Sequence, residues 1–248
     1  MIHLLSTLLC DVSILFISSS FTALTSAVHT VCSLLHPLRL SHSLVPVVPG
    51  GLLEMVQLPS LYIMGLHTSL RKKVFEDLGD VVELNLDDGR MTTPPSVSIP
   101  LLPPAMLEPV HRALARILNP NIEYRDLLFG AINTTTHSLL THKSDELQDK
   151  EVRSVFLCLL VSLLGDYQQF VTVLRFHPSP SFTFNKEAYL HSHSSEDSHS
   201  LLHKIVDGIP FMDFVHSRSL PYRRCDHFDE VYYKTRHIYG YFGHEKNF

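Results

Sequence analysis

Short apolar runs alternate with longer mixed segments through the first ninety residues. The runs predict buried strands, and the segments between them predict helices, because strands are short and amphipathic helices need several turns. The run VSILFIS is nearly continuous rather than alternating, which is typical of a strand covered on both faces. The pattern therefore predicts α/β architecture, a central mixed or parallel sheet flanked by helices. The predicted helices are 2–10 and 21–36, and the predicted strands are 12–18, 43–48, 60–66 and 80–86.

Turn-forming residues punctuate this pattern. We predict a helical turn over 52–56, a charged segment rich in helix formers over 67–78, and a tight turn at Asp87-Asp88-Gly89, where glycine tolerates a positive φ. Residues 92–104 contain five prolines and predict a linker or an extended crossing rather than a regular element.

The second half changes character and predicts an all-α C-terminal part. Helical spacing predicts a helix over 107–118, one long or kinked helix over 147–175, shorter helices over 185–190 and 200–218, and a last helix that Asp226 caps. The Thr-rich stretch 131–146 is the best candidate boundary. The predicted domains are a 1–130 α/β module, a 131–146 linker and a 147–248 helical module.

Charge is distributed very unevenly. Residues 1–70 carry only Asp11, Arg39 and Glu54, although the chain has 20 basic and 25 acidic residues. A secretory signal needs a cationic start, yet the first such residue is Arg39, so a buried core explains the apolar start better. The net charge of −5 without a basic block argues against nucleic acid as a partner. The four dispersed cysteines favour reduced thiols in a cytoplasmic protein.

The search for catalytic motifs finds no constellation. Gly65 precedes Lys72 and Lys73, but the phosphate-binding pattern GxxxxGK[ST] is absent, so we interpret Gly65 as a strand-to-helix turn. Cys225 follows two arginines, yet it lacks a placed base and is interpreted as preceding a helix cap. His191, His193, His199 and His203, with Glu196 and Asp197, could bind zinc, but their polar surroundings favour a solvated loop. We predict no catalytic residue, metal or cofactor, and a small zinc hydrolase remains an alternative.

Several segments in order resemble the DENN family. In the first half, the resemblance lies in the segments LLHPL, VPVVP, LPSLYIMGLH and VVELNLDDG. The second half is similar to the downstream DENN module of the set-binding factors, the myotubularin-related pseudophosphatases. This similarity lies in the segments QDKEVRSVF, LRFHP, FTFNK, FVHSR and 221–230. Asn85 stands where the family often has an acidic residue. The resemblance covers nearly the whole chain, from about residue 4 to residue 231.

This resemblance implies a guanine-nucleotide exchange module, or its larger lobe, for Rab-type small GTPases in membrane traffic. It implies no covalent chemistry, because tighter binding of the nucleotide-free GTPase would release GDP. The loops 67–71 and 87–90 are the predicted contact points, with His67, Arg71, Asp87, Asp88 and Arg90 as partner-binding residues.

The family's upstream lobe has no counterpart in this sequence. We therefore expect a fragment or a truncated start at Met1, a separate upstream lobe as a partner, and a cytoplasmic location with peripheral association with endomembranes. The alternative is a non-catalytic regulatory domain that binds a GTPase or a subunit without exchange.

Overall fold

The computed structural model describes residues 2–74, 78–119, 145–175, 181–193, 196–220 and 223–243, without the side chains of 196–199 and 237–243. The described chain divides into two compact units, each made of two segments: residues 1–102 with 166–223, and residues 103–165 with 224–248. The fold class predicted from the sequence is confirmed: a mixed sheet flanked by helices, and a helical C-terminal part. The predicted linker 131–146 lies outside the described residues apart from its last two, and the predicted domain bounds stay a prediction.

The sheet of the first unit is built around β1 (Ser13–Ser18), which is buried along its whole length. Its order is β2-β3-β1-β4-β5, with β2 (Ser43–Val45), β3 (Tyr62–His67), β4 (Val81–Asn85) and β5 (Met91–Thr92). The first four strands run parallel, and only β5 is antiparallel. Because β1 pairs on both sides and is covered on both faces, it requires the continuous apolar run seen in the sequence.

Helices of the first segment are α1 (Ile2–Leu9), α2 (Phe21–Leu34) and the short α3 (Thr68–Arg71), with a 3-10 helix over Leu53–Gln57. The helix α2 shows an apolar stripe at helical spacing, and its buried residues are Leu24, Val28, Val31 and Leu34. Among the helices that the structure describes, none is long and apolar enough to cross a membrane.

Two predicted elements of this segment are shorter than expected. The strand predicted over 43–48 ends at Val45, because Pro46 has no N–H to continue the ladder. The helical segment expected over 67–78 forms a helix only over Thr68–Arg71, and residues 75–77 lie outside the described part. The proline-rich segment 92–104 has no helix before Pro104, but Thr92 belongs to β5 and pairs with Glu83 of β4.

The second segment of this unit contains a β-hairpin that the sequence analysis missed. The helix predicted over 147–175 ends at Leu164, and Gly165–Phe170 then forms a 3-10 helix that leads into β6 (Val171–Arg175). The strand β6 pairs antiparallel with β7 (Ser181–Phe184). The hydrophobic spacing up to Leu164 is helical, but the β-branched, alternating stretch VTV favours a strand. The segment forms a strand because it pairs with β7, and the helical spacing of the residues before it does not reveal that pairing.

Three helices follow the hairpin: α6 (Lys186–Ser192), α7 (Glu196–Asp207) and α8 (Ile209–Arg218). An aromatic cluster joins the hairpin to these helices through Tyr189, whose ring is 5.4 Å from the ring of Phe184 and 5.9 Å from that of Phe211. Such ring pairs add about 0.5–1.5 kcal/mol each beyond the area they bury. The aromatic cluster is therefore the core of this second segment.

The second unit is described as three helices, α4 (Pro104–Leu118), α5 (Asp145–Leu164) and α9 (His227–Gly243), with α5 packing against both others. The start of α9 confirms the predicted cap. The Asp229 amide donates to Asp226 Oδ1 at 3.2 Å, and the Asp226 amide donates to Asp229 Oδ2 at 3.1 Å, a reciprocal arrangement that satisfies two amides at the helix start.

Gly65 is not the strand-to-helix turn that we interpreted from the sequence. It lies inside β3, where the Pro46 carbonyl approaches its backbone so closely that an added Cβ would lie 2.0 Å from the Pro46 oxygen. The Val48 amide also donates to the Gly65 carbonyl at 2.7 Å. Glycine is required there because the chain after β2 crosses directly over this position.

We expect Gly65→Ala to lower the free energy of unfolding by about 3 kcal/mol, because the backbone of Pro46 cannot move away as a flexible side chain could. Urea unfolding followed by circular dichroism measures this loss. Gly51→Ala is the matched control, since nothing lies within 4 Å of its added Cβ and its stability should stay within about 0.5 kcal/mol of wild type. Equal stability of the two variants would contradict the close approach at Gly65.

Candidate partner-binding surface

The carboxyl ends of β3, β1 and β4 meet at one edge of the sheet. Because these strands are parallel and adjacent, the residues that follow them come together although they are far apart in sequence. The register pairs Ser18 of β1 with His67 of β3, and Ile17 of β1 with Asn85 of β4. We call this region, residues 18–21, 67–69 and 85–90, the carboxyl edge.

Asp87 joins two strands of the carboxyl edge. Its Oδ1 accepts a hydrogen bond from the Ser18 hydroxyl at 2.6 Å, and its Oδ2 accepts one from the Ser19 amide at 2.8 Å. The Leu86 amide extends the connection by donating to the Ile17 carbonyl at 2.8 Å. The bonds from Ser18 and Ser19 lower the pKa of Asp87, because both donors favour the ionised carboxylate.

The Ser18–Ser20 turn leads directly into α2. The Ser20 side chain accepts a hydrogen bond from the Ala23 amide at 3.3 Å, and the Ser20 amide donates to the Ser18 hydroxyl oxygen at 3.0 Å. An amide-lined turn before a helix commonly binds an anion, since the helix start carries partial positive charge. Here the Asp87 carboxylate takes that position on the turn.

His67 is held through both ring nitrogens. Its Nδ1 accepts a hydrogen bond from the Ser69 amide at 3.2 Å, and its Nε2 lies 3.1 Å from the Ser19 carbonyl oxygen. A carbonyl oxygen can only accept, so Nε2 carries the proton and the ring has a defined tautomer. The ring of Phe21 stacks on His67 with the two centroids 4.8 Å apart. The side chain of Phe21 is 57% exposed, so this stack presents an aromatic face at the surface.

Arg71, predicted as a contact residue, forms an ion pair with Glu83. Its Nε and Nη2 bind the two oxygens of Glu83 at 3.0 and 2.7 Å, a bidentate pair between α3 and β4. Both side chains are about three-quarters buried, with 26% and 22% exposure. Such a planar, paired geometry holds α3 against the sheet. Arg71 therefore has a structural role, and its contact with a partner stays a prediction.

Asp88 and Arg90 are exposed in the turn that follows Asp87. The Arg90 amide donates to Asp88 Oδ1 at 2.8 Å, and the Asn85 amide donates to the Arg90 carbonyl at 2.9 Å. These bonds involve the backbone of Arg90, so its guanidinium extends from a turn whose conformation is fixed. Together they close the hairpin between β4 and β5.

The comparisons with known proteins bear on the sheet that builds this edge. Residues 1–89 match the family model described as the DENN (AEX-3) domain. Over these first 89 residues the chain is similar to the DENN domain family. These residues include β1 to β4 and the carboxyl edge up to Gly89, and we call them the DENN segment.

Curated relatives match far more of the chain than the DENN segment. DENN domain-containing protein 1C of Mus musculus is 28% identical over 88% of the chain, and DENN domain-containing protein 1A of Homo sapiens is 26% identical over 99%. Myotubularin-related protein 5 of Caenorhabditis elegans is 26% identical over 93%, in agreement with the resemblance to that branch. The chain spans only 24%, 21% and 13% of the lengths of these three proteins.

The carboxyl edge of the DENN segment brings together four of the five residues predicted from the sequence: His67, Asp87, Asp88 and Arg90. Ser18, Ser19 and Phe21 belong to the same edge and were not predicted, and Asn85, noted from the sequence only as a departure from the family pattern, lies there too. The sequence does contain a feature that indicates the serine turn, because a run of three serines lies between an apolar strand and a helix. The side chain of Asn85 accepts a hydrogen bond from the Asp87 amide at 2.9 Å. The residue that departs from the family pattern therefore stabilises this turn.

The remaining candidate chemistry lies elsewhere in the chain. His203 Nδ1 is 2.9 Å from Asp207 Oδ2, and His193 Nδ1 contacts the Tyr189 carbonyl oxygen at 3.0 Å, so each has a local partner. Among the described residues, no group of three or more histidine, cysteine, aspartate or glutamate side chains could hold a metal ion. The side chains of residues 194–199 are outside that description, so the zinc alternative stays untested for that part of the tract. Cys225 is exposed and precedes the Asp226 cap.

We expect Asp87→Asn to change the pH dependence of stability in acid. The folded pKa of Asp87 is lowered, so its contribution is fully present above the unfolded value of 3.8 and is lost as pH falls through the folded pKa. Urea unfolding between pH 5 and pH 2.5 should therefore show a flatter profile for the variant than for wild type. Asp80→Asn makes the same charge change at the exposed residue before β4. A wild-type slope in D87N would show that the bonds to Ser18 and Ser19 do not favour the ionised form.

Proposed function

We propose that the chain is a guanine-nucleotide exchange module, or the larger lobe of one, for Rab-type small GTPases, and that it promotes GDP release in membrane traffic. The observation that carries this proposal is the DENN match over the strands that build the carboxyl edge. The two DENN domain-containing proteins reported above match 88% and 99% of the chain at 28% and 26% identity, which extends the similarity beyond the DENN segment. The family resemblance supplies the link to Rab-type GTPases.

Exchange of this kind needs a binding surface rather than a reactive group. A protein that binds the nucleotide-free GTPase more tightly than the loaded one weakens GDP binding by the same factor, because the two equilibria are linked. The carboxyl edge suits such a role because its loops are held by bonds between strands. A preorganised surface loses little conformational entropy when it binds.

Within the carboxyl edge we assign partner contact to two neighbouring features. The first is the turn with the exposed charges of Asp88 and Arg90, and the second is the Phe21–His67 stack. Aromatic and arginine side chains are the types that most often dominate the energy of an interface. Asp87 and Arg71 then shape the surface, because their charged groups are engaged by Ser18, Ser19 and Glu83.

A second candidate function is binding of a GTPase or another subunit without exchange. The observation that favours it is length, since the chain spans 24% or less of the relatives reported above. In this second function, exchange requires regions outside the match, such as the upstream lobe that the family resemblance implies. In either case we propose a cytoplasmic protein that associates peripherally with endomembranes.

The two functions are separated by a GDP-release assay with a panel of purified Rab GTPases, together with binding to the nucleotide-free forms. We expect the chain to accelerate release from at least one of them. Reversing the exposed charges by Asp88→Lys or Arg90→Glu should weaken binding and slow release about tenfold, because mismatched charges at an interface oppose association. Lys234→Glu is the matched control, an exposed charge reversal on α9 that should leave the rate unchanged.

Each outcome of this assay has a definite meaning. Binding with an unchanged GDP off-rate would support the non-catalytic function and overturn exchange by this chain alone. Absence of binding to every nucleotide-free GTPase would overturn both exchange and GTPase binding, and would leave only the binding of another subunit. Equal loss in K234E and R90E would show that the effect comes from overall charge, and would remove the carboxyl edge as the contact surface.

A further inference from the structure

A buried acid joins the two segments of the first unit. Asp11 lies in the turn between α1 and β1 with φ 52°, a left-handed conformation that residues other than glycine rarely adopt. Its carboxyl group accepts a hydrogen bond from the amide of Ile209, the first residue of α8. A residue near the start of the chain therefore caps a helix that begins almost two hundred residues later.

The start of α8 is built to receive this carboxylate. Its capping position is Gly208, which has no side chain to bond the first amides of the helix. A Cβ at Gly208 would lie 2.8 Å from Asp11 Oδ2, so glycine leaves room for the acid. A negative group at a helix start is favoured by the partial positive charge there. Asp11 thus does from a distant segment what a capping side chain normally does locally.

His42 completes the arrangement from the loop after α2. Only 6% of its surface is exposed, and its Nε2 lies 3.1 Å from the Val12 carbonyl oxygen. Since that oxygen only accepts, Nε2 carries a proton and the neutral ring leaves Nδ1 unprotonated. Neither His42 Nδ1 nor Asp11 Oδ1 has a hydrogen-bond partner among the described residues, and both atoms are buried.

We propose that Asp11, His42 and the first turn of α8 form a pH-sensitive anchor that holds α8 on the α/β segment of the first unit. At neutral pH, the ionised Asp11 caps α8 while neutral His42 supports the backbone next to it. Mild acid adds a proton to His42, and the buried ring then carries a charge with little solvation. The anchor loosens, and the first turn of α8 separates from Asp11.

Burial acts on both titratable groups of the anchor. Burial lowers the pKa of His42, an effect that the neighbouring Asp11 partly opposes. Burial likewise raises the pKa of Asp11, and His42 opposes that shift. The other titratable groups that act here are Cys10, whose thiol pKa burial raises to about 11, and Lys204 of α7, which acts on Cys10.

The direction of the pH effect follows from these shifts. Because the folded pKa of His42 lies below its unfolded value of 6.5, its contribution to stability is fully present above 6.5 and declines as pH falls toward the folded value. Asp11 acts in the opposite direction, since its folded pKa is raised above 3.8: its contribution is present below 3.8 and is lost as pH rises through the folded pKa. A loss of stability as pH falls below 6.5 therefore has the sign expected of His42 and not of Asp11.

Two measurements on the full chain test the anchor. The first compares thermal unfolding at pH 7.5 and pH 5.5 for wild type and His42→Gln, which keeps a donor for the Val12 carbonyl. The fall in Tm between the two pH values should be about 2–4 °C smaller in H42Q than in wild type. His29→Gln, an exposed histidine on α2, should keep the wild-type fall.

The second measurement follows amide hydrogen exchange of Ile209 and Phe211 at pH 7.5 in wild type and Asp11→Asn. Asparagine tolerates the left-handed backbone of Asp11 but lacks its charge, so the variant should fold while exchange at these amides becomes about five- to tenfold faster. Exchange in β1 should be unchanged. Unchanged exchange at Ile209 in D11N, or an H42Q profile identical to those of wild type and H29Q, would overturn the proposal.

Discussion

The complete burial of β1 between two parallel neighbours is the constraint on which the α/β segment depends. A strand covered on both faces carries no charge, and the buried β1 agrees with the low charge of the first seventy residues. Parallel pairing with β3 and β4 also requires that all three strands end at the same edge. The carboxyl edge is therefore a consequence of how the core is buried, and its residues need no proximity in sequence.

The polar groups at that edge largely satisfy one another. Asp87 neutralises the donors of the serine turn, His67 bonds to the carbonyl of Ser19, and Asn85 closes the turn before Asp87. A loop whose hydrogen-bond donors are engaged by its own residues keeps its shape, and those donors are not available to bind a small anion. A surface of fixed shape suits recognition of another protein, and this is what the proposed exchange function requires.

The sequence pattern predicted the strands β1, β3 and β4 and the cap at Asp226 because each rests on local chemistry: an apolar run, or an aspartate before a helix. It missed the hairpin of β6 and β7, since a strand that follows helical spacing is recognised only through its partner. It did not indicate that Glu83 of β4 binds the guanidinium of Arg71, because the two residues meet only through the packing of α3 on the sheet. Gly65 was misinterpreted for the same reason, as the obstructing carbonyl belongs to Pro46.

The sequence by itself determined the fold class, the buried strands and the family resemblance, because periodicity, turn residues and ordered motifs are written along the chain. Only the tertiary structure decided which polar residues share the carboxyl edge, and that Asp11 caps α8. Those contacts join residues separated by 48 to 69 positions at the edge, and by almost two hundred positions between Asp11 and Ile209. Contacts of that separation depend on strand register and helix docking, which local propensity does not specify.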